Sequence, residues 1–261
     1  MGERLSREYF EDIYAQSTDP WDFETSLYER DKYKRTLEVL AHKRYHRALE
    51  VGCSIGVFTV MLAPLCAELV AVDIAEKAVV ATRERIANFP NVRVERRTLP
   101  EETPEGPFDL IVASEVLYYL PKDMVLVALQ RFEDMLAPGG VFLAVHLRGG
   151  WKTRIASKIK PLFLRYWVLI SLRGRVLKNS PLEGNAVHEL LLNHTCLTHA
   201  VSVTEPRYRL DLFEKNWRTW CAGFLEELCE ERDPHYARWC SKPPQRRGAL
   251  LRGSYSRDQN D

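Results

Sequence analysis

Apolar, strand-like runs alternate with helix-length segments from residue 47 to residue 147, and this alternation constrains the fold more than any other feature of the chain. The strand-like runs cover 47–52, 69–74, 91–96, 108–114 and 140–147, and helical patterns lie near 56–66, 76–88 and 122–136. Neighbouring parallel strands must be joined by a crossover, which is usually a helix. Several runs are apolar throughout, as strands covered on both faces are. The sequence therefore predicts an α/β fold with a doubly wound, mostly parallel sheet.

The sequence before and after this alternating region predicts further helices and strands. Helices at 6–18 and 26–43 precede it, and a helix at 186–194, strand-like runs at 198–204 and 207–213 and a helix at 214–231 follow it. The two late runs suggest a hairpin that closes one edge of a seven-stranded sheet. The chain thus divides into an N-terminal helical cover (1–45), the α/β core (46–147), a basic and aromatic insertion (148–185), a C-terminal part of the same domain (186–240) and a tail with the composition of disorder (241–261).

Composition narrows the possible partners. Of the 261 residues, 46% are hydrophobic, which is ordinary for a globular protein. The formal net charge of +1 argues against a surface built to wrap nucleic acid. The longest apolar run, 161–172, is interrupted by Arg165 and is too short to span a bilayer, so a soluble, cytoplasmic protein is predicted. The six cysteines and seven histidines show no metal-ligand spacing, so no metal is expected.

The turn after the first strand is the most informative motif. Gly52 and Gly56 stand where the strand passes into a helix, and small residues there let the backbone approach a ligand. A pyrophosphate-binding loop would read G-x-G-x-x-G, but Ser54 takes the middle position and no third glycine follows. Asp73 ends the second strand, where a carboxylate can accept both ribose hydroxyls of an adenosine. Glu50 would repel a pyrophosphate but suits a cationic amino acid, so the motif predicts S-adenosylmethionine as the ligand.

Several motifs in order resemble the class I S-adenosylmethionine-dependent methyltransferases, and more narrowly the nodulation protein S type. The motifs are DPW (19–21), YER (28–30), ALEVGCSIG (48–56), Asp73, FDLIVASEVLYY (108–119) and LAPGG (136–140). They cover residues 9–147, with a weaker echo at 184–213. The resemblance implies the Rossmann-like methyltransferase fold with a helical cover and an inserted helical lid. Well-known members of this family N-methylate an amino-sugar end of a chitin-like oligosaccharide.

The resemblance also implies a set of cofactor contacts. Gly52, Ser54 and Gly56 would line the cofactor, Asp73 would hold the ribose, and Thr98 with Leu99 would flank the adenine. Families commonly place Asp at the Thr98 position, so this chain departs from the pattern there. The complete set of predicted cofactor residues is Trp21, Arg30, Lys32, Glu50, Gly52, Ser54, Gly56, Asp73, Ile74, Thr98, Leu99 and Ser114. Within this set, the side chain of Arg30 or Lys32 is expected to pair with the carboxylate of the methionine moiety. Core packing is the alternative for Trp21.

Candidate catalytic residues follow from the reaction. Methyl transfer from a sulfonium is an in-line displacement, so the protein must position the acceptor, exclude water and sometimes remove a proton. Glu115, Tyr118 and His146 should face the crevice from the ends of the fourth and fifth strands. His188 is the first choice for a general base, because imidazole titrates near neutral pH. The alternatives are a helix-start acid for Glu115 and, for His188, a histidine satisfied by a neighbour.

The stretch from Leu147 to Leu182 has no acidic residue but contains nine lysines and arginines interleaved with aromatic residues. Three interpretations compete for its residues 148–178. The stretch is a lid or a homodimer contact, a groove for an anionic acceptor, or a helix that touches a membrane surface or RNA.

The preferred function is methyl transfer to nitrogen or oxygen of a small polar acceptor, such as an amino sugar, another saccharide or a natural product. One alternative is a nicotinamide-dependent oxidoreductase on a similar fold, which Glu50 and the incomplete glycine triplet disfavour. The other is a binding module that keeps the cofactor pocket without turnover. The intact loop, Asp73, Glu115 and His188 argue against that alternative.

Overall fold

A seven-stranded sheet forms the centre of the part of the chain that the computed structural model describes, residues 4–148 and 182–216. The strands are β1 (Tyr45–Val51), β2 (Cys66–Asp73), β3 (Val92–Arg96), β4 (Phe108–Ser114), β5 (Leu136–Leu147), β6 (Thr198–Thr204) and β7 (Tyr208–Glu214). Their order is β3-β2-β1-β4-β5-β7-β6. The first five strands are parallel, and β7 runs antiparallel to both β5 and β6. The predicted fold class is confirmed, including the hairpin at one edge.

Helices flank this sheet close to their predicted positions. They are α1 (Arg7–Gln16), α2 (Leu27–Leu40), α3 (Val57–Leu62), α4 (Glu76–Arg85), α5 (Lys122–Met135) and α6 (Gly184–His194), with short 3-10 turns at Ala63–Leu65 and Leu117–Tyr119. The largest difference is at β5, which begins at Leu136 and not at 140. Leu136 already pairs with Phe108 ahead of an irregularity in the β4–β5 ladder.

The central strands are mostly apolar and buried because helices cover both of their faces. On one face, α5 buries Val125, Leu129 and Phe132, which recur at helical spacing, against the sheet. The Phe132 ring lies 5.2 Å from the ring of Phe142 on β5. Burial of each such side chain contributes about 1.5–3 kcal/mol. Packing of this kind fixes the strand ends, and with them the crevice in which a ligand can lie.

The first two helices begin at serine caps and carry an aromatic face toward the sheet. The Ser6 hydroxyl accepts a hydrogen bond from Tyr9 N, and Ser26 does the same for Glu29 N. Helix α1 buries Phe10 and Tyr14, one helical turn apart. These rings pack in a cluster with Trp21 and with residues that follow β1 and β2. Helix α1 and Trp21 therefore lie over the carboxyl ends of the first two strands.

Some predictions fall on other parts of the chain. The basic segment lies almost entirely at 149–181, outside the described residues, and so do most of the helix at 214–231 and the tail at 241–261. The predicted start of that helix at 214 is wrong, because Glu214 ends β7 and the next two residues are not helical. The division of the chain into five parts stays a prediction. Within the described ranges, every helix is too short or too polar to cross a membrane.

Two glycines with left-handed backbone separate the effect of conformation from that of crowding. Gly56 has φ +77°, and a Cβ there would lie 2.8 Å from Thr82 Cγ2, whereas Gly139 has φ +73° with nothing within 4 Å of its Cβ position. We expect Gly139→Ala to lower the free energy of unfolding by about 1 kcal/mol. Gly56→Ala should lower it by about 2–4 kcal/mol, because steric strain adds to the conformational cost. Chemical denaturation without added ligand measures both, and equal losses would contradict the crowding argument.

Candidate active site

A cavity lies at the carboxyl ends of β1, β2 and β4. Most of its polar lining comes from the ends of the parallel strands and the loops that follow them, and much of its apolar lining comes from the N-terminal segment, which also contributes Arg4. Lining residues include Gly52, Ser54, Asp73, Ile74, Leu99, Ser114, Glu115, Tyr118 and Tyr119 from the loops, and Phe10, Tyr14, Trp21 and Phe23 from the cover. The crevice outside the carboxyl ends of parallel strands is where α/β sheets bind ligands.

The turn after β1 is held in place by the end of β2. Gly52 N and Cys53 N both donate to the Val72 carbonyl, at 2.8 and 3.0 Å. Ser54 adopts a left-handed conformation, with φ 53°, which directs its N–H toward Asp73. Asp73 Oδ2 accepts that bond at 2.9 Å. The loop is therefore ordered by the protein's own hydrogen bonds before any ligand arrives.

Asp73 is the acid that the sequence assigns to a ribose. Its second oxygen, Oδ1, accepts a bond from Ala75 N at 3.0 Å. Burial raises the pKa of Asp73 to about 6, although hydrogen bonds from the backbone N–H groups of Ala75, Ser54 and Ile74 act to lower it. The carboxylate is therefore mostly ionised at pH 7. Each oxygen accepts one backbone bond and keeps a lone pair for a hydroxyl of a bound nucleoside.

Glu50 lies on β1, behind the residues that line the cavity. It is 4% exposed, and its Oε2 has no hydrogen-bond partner among the described residues. Burial raises the pKa of Glu50 to about 8, and the charge of Asp73 adds to the increase. A hydrogen bond with Thr59 lowers the pKa without outweighing burial. A buried carboxyl with one oxygen lacking a hydrogen bond is costly, unless a cation approaches and favours its ionised form. The site thus fits a nucleoside that carries a positively charged amino acid.

The predicted cofactor residues divide into two groups. Those on the cavity wall are Trp21, Gly52, Ser54, Asp73, Ile74, Leu99 and Ser114. Those off the wall, within the described part of the chain, are Arg30, Lys32, Glu50, Gly56 and Thr98. Arg30 is exposed, and the Thr98 hydroxyl accepts a bond from Arg7 at 2.8 Å. These assignments stay predictions, and for Arg30 and Lys32 the geometry offers no direct contact with the cavity.

Lys32 is instead the centre of a buried ion cluster. It is fully buried, and its Nζ lies 2.8 Å from Glu29 and 2.6 Å from Glu115. Glu115 is on the cavity wall and has φ 58°. Its other oxygen accepts bonds from the Tyr118 hydroxyl at 2.8 Å and from Leu147 N at 3.2 Å. The structure therefore brings the predicted Glu115 and Tyr118 together at the cavity.

The two predicted histidines lie elsewhere. His146 and His188 are fully buried, and neither is among the described residues that line the cavity. His188 Nδ1 lies 2.6 Å from Asp211, and its Nε2 lies 3.4 Å from His146 Nδ1. A direct role for His188 as a general base stays a prediction, in a geometry where both of its ring nitrogens are engaged.

Sequence reasoning missed the aromatic residues of α1. The Tyr14 hydroxyl lies 2.6 Å from the Ser54 hydroxyl, so it joins the cover directly to the cofactor loop. The Phe10 ring packs edge-on against Tyr119 at 5.2 Å. The spacing of Phe10 and Tyr14 indicates a buried helix face. No local pattern indicates that the face lies over a loop some forty residues later.

This fold, with an acid-flanked glycine turn and a second acid at the end of β2, is that of the class I S-adenosylmethionine-dependent methyltransferases. The family model of nodulation protein S (NodS) matches residues 9–150. The chain belongs to the nodulation protein S family, and S-adenosylmethionine is the cofactor of the class. The predicted family is confirmed.

Curated relatives carry the same family name. Nodulation protein S of Bradyrhizobium diazoefficiens is 39% identical over 123 residues, which are 46% of this chain and 58% of that protein. The Rhizobium tropici protein of that name is 37% identical over 124 residues, 47% of this chain and 52% of the relative. The chain thus spans just over half the length of the curated relatives it matches.

Solved structures support the fold. N-methyltransferase NodS from Bradyrhizobium japonicum, in complex with S-adenosylhomocysteine, has a TM-score of 0.63 at 24% identity, and the match covers 80% of this chain and 97% of that one. A putative methyltransferase from Pseudomonas syringae is 31% identical, with a TM-score of 0.56 and coverage of 72% and 99%.

Glu50 should make cofactor binding release a proton. In the free protein its pKa of about 8 keeps it mostly protonated at pH 7, and the ligand's ammonium group favours the carboxylate. Affinity for S-adenosylhomocysteine should therefore fall as the pH is lowered from about 8 toward 7. Calorimetry in buffers of different ionisation enthalpy measures the proton release, which Glu50→Gln should abolish. Glu133→Gln is the matched control, because this buried acid bonds Thr195 and Cys196 away from the cavity. Proton release that survives in Glu50→Gln would refute the assignment.

Proposed function

We propose that this protein transfers a methyl group from S-adenosylmethionine to the nitrogen of a small amine, with an amino sugar as the preferred acceptor. The observation that carries the proposal is the Glu115 carboxylate, which stands on the cavity wall as part of a buried cluster with excess negative charge.

The charge of that cluster favours an amine. Lys32 is shared between Glu29 and Glu115, so two carboxylates surround one ammonium group and a negative charge remains. A nitrogen that attacks a methyl group becomes positively charged as the new bond forms. Fixed negative charge beside that nitrogen stabilises the transition state more than the ground state.

The aromatic lining supports the same acceptor class. Rings of Phe10, Trp21, Tyr118 and Tyr119 line the cavity together with Glu115. Aromatic faces attract cations, most strongly where water is excluded. The combination of rings and a carboxylate suits an ammonium or amine carried on an apolar or sugar-like body.

The cavity is less suited to an alcohol acceptor. A hydroxyl needs a base to remove its proton during transfer, whereas a neutral amine attacks with its own lone pair. The acids on the wall are Asp73 and Glu115, and both are engaged in hydrogen bonds. The histidines that could act as bases lie off the wall.

In this mechanism the protein mainly positions the amine and excludes water from the cavity. The cofactor supplies the methyl group and its leaving group. Asp73 and the turn after β1 hold the nucleoside, while Phe10, Tyr14 and Trp21 cover the cavity and exclude water. Glu115 accepts a hydrogen bond from an N–H of the amine and thereby orients the nitrogen lone pair toward the methyl carbon. The carbon–nitrogen bond forms as the carbon–sulfur bond breaks, and the product ammonium loses its proton to solvent.

A matched pair of acceptors tests the proposed function. We expect methylation of a glucosamine oligosaccharide that has a free amine at its non-reducing end, and none of the same oligosaccharide with every nitrogen acetylated. Release of S-adenosylhomocysteine and the mass of the product measure the outcome. Equal transfer to both compounds, or a methyl group found on oxygen, would contradict an amine acceptor.

Glu115→Gln should slow turnover without weakening the cofactor. We expect kcat to fall about 100- to 1000-fold, the scale of losing one electrostatic contact to the transition state. Affinity for S-adenosylhomocysteine should change less than about threefold, because Asp73 and the glycine turn are intact. Asp109→Asn serves as the control, since it removes a buried carboxylate at the opposite end of β4, where Asp109 bonds His46 N and Arg47 N. Similar kcat losses in both variants would point to general destabilisation.

A further inference from the structure

A chain of buried hydrogen bonds runs behind the cavity wall and takes no part in the mechanism above. Leu117 N lies 3.3 Å from His146 Nε2, and His146 Nδ1 lies 3.4 Å from His188 Nε2. His188 Nδ1 then lies 2.6 Å from Asp211 Oδ2. The three side chains come from β5, α6 and β7, and each is fully buried.

The hydrogen bonds at the two ends of this series determine which ring nitrogen of each histidine carries a proton. A backbone N–H can only donate, so Nε2 of His146 is an acceptor and a neutral His146 carries its proton on Nδ1. That proton is donated to Nε2 of His188, so His188 also carries its proton on Nδ1 and donates it to the Asp211 carboxylate. A second proton on either ring would place two N–H groups against each other.

The surroundings favour the neutral form of His146. Burial lowers the pKa of His146 well below its ordinary value, and His188 lowers it further. The Tyr118 ring lies 5.5 Å from the His146 ring, and the charge of Glu115 acts to raise the pKa of His146 while that of Lys32 acts to lower it. At the other end, Arg209 and His199 also bond Asp211, at 2.7 and 2.9 Å. Burial acts to raise the pKa of Asp211, but the bonds from His188 and Ser202 and the charge of Arg209 outweigh it and hold the pKa below its ordinary value.

We propose that Leu117, His146, His188 and Asp211 form a positioning network that sets the acceptor-side wall of the cavity. Val116, Leu117, Tyr118 and Tyr119 are all on that wall, and Leu117 is the residue that His146 holds. The network ends on a backbone amide, so it delivers no proton to a ligand. His188 therefore acts on the wall through His146, and not on the acceptor itself.

The proton positions give a test that is independent of activity. In the full chain labelled with ¹⁵N-histidine, we expect both His146 and His188 to be neutral, with the proton on Nδ1, from pH 8 down to about 6, where an unperturbed histidine titrates. An Nε2–H tautomer or a positive charge on either ring at pH 7 would overturn the network.

Paired substitutions test what the network supports. His146→Leu removes the acceptor for Leu117 N, whereas His146→Gln places an amide oxygen near the Nε2 position. Hydrogen exchange of residues 115–120 should speed up about tenfold in His146→Leu and stay near the wild-type rate in His146→Gln. Exchange of residues 52–56 should not change in either variant. His199→Gln is the control, because it removes a half-exposed partner of the same Asp211. Unchanged exchange of 115–120 in His146→Leu would refute the proposal.

A kinetic experiment extends the test and rests on the proposed methyl transfer. With the amine oligosaccharide, His146→Leu and His188→Leu should raise the acceptor KM about tenfold, and His146→Gln should restore it. Affinity for S-adenosylhomocysteine should stay within about threefold. A large loss of kcat in His188→Leu, with wild-type KM and exchange, would show instead that His188 acts directly as a base. If the wild-type protein transfers no methyl group at all, the proposed function fails while the tautomer and exchange results still decide the network.

Discussion

The bond from Ser54 N to the Asp73 carboxylate ties the first strand's turn to the end of the second strand, and the rest of the site depends on it. It holds Ser54 in a left-handed conformation that few non-glycine residues adopt. In that conformation the Ser54 hydroxyl meets the Tyr14 hydroxyl of α1. One carboxylate therefore orders the cofactor loop, retains lone pairs for a ribose and fixes the point at which the N-terminal cover is attached.

Three acids around the cavity are held in different states by their surroundings. Asp73 accepts two backbone N–H groups and stays mostly ionised at pH 7, although burial raises its pKa to about 6. Glu50 lacks such donors at Oε2, and its pKa rises to about 8. Glu115 is compensated by Lys32, which lies within 2.6 Å. The cavity wall carries the carboxylates of Asp73 and Glu115 together with the guanidinium groups of Arg4 and Arg97. S-adenosylmethionine brings charges of both signs, positive at its sulfonium and amino groups and negative at its carboxylate.

The sequence was sufficient for the parts of the fold that depend on local pattern. Short, mostly apolar runs such as 108–114 favour strands buried on both faces, and the structure has a strand at that position. The glycine turn and Asp73 were equally readable, because their spacing is set by one strand–turn–helix unit. Side-chain pairing between distant segments was not readable. Lys32 is a cation in the predicted cofactor cover, but its partner Glu115 is 83 residues away, and no local pattern records that contact. The same holds for His188, whose partners lie on two other strands.

The stretch from Glu115 to Tyr119, which lines the cavity, is held in place from two sides. On one side, Lys32 of α2 holds the Glu115 side chain, and on the other, His146 of β5 holds the Leu117 amide. Glu115 has φ 58°, a conformation that costs about 1 kcal/mol or more and persists because these contacts outweigh it. The family match ends at residue 150, whereas His188 and Asp211 lie beyond it. Under the proposed network, residues beyond the family match can therefore change the wall formed by 116–119 while Asp73 and the glycine turn remain unchanged.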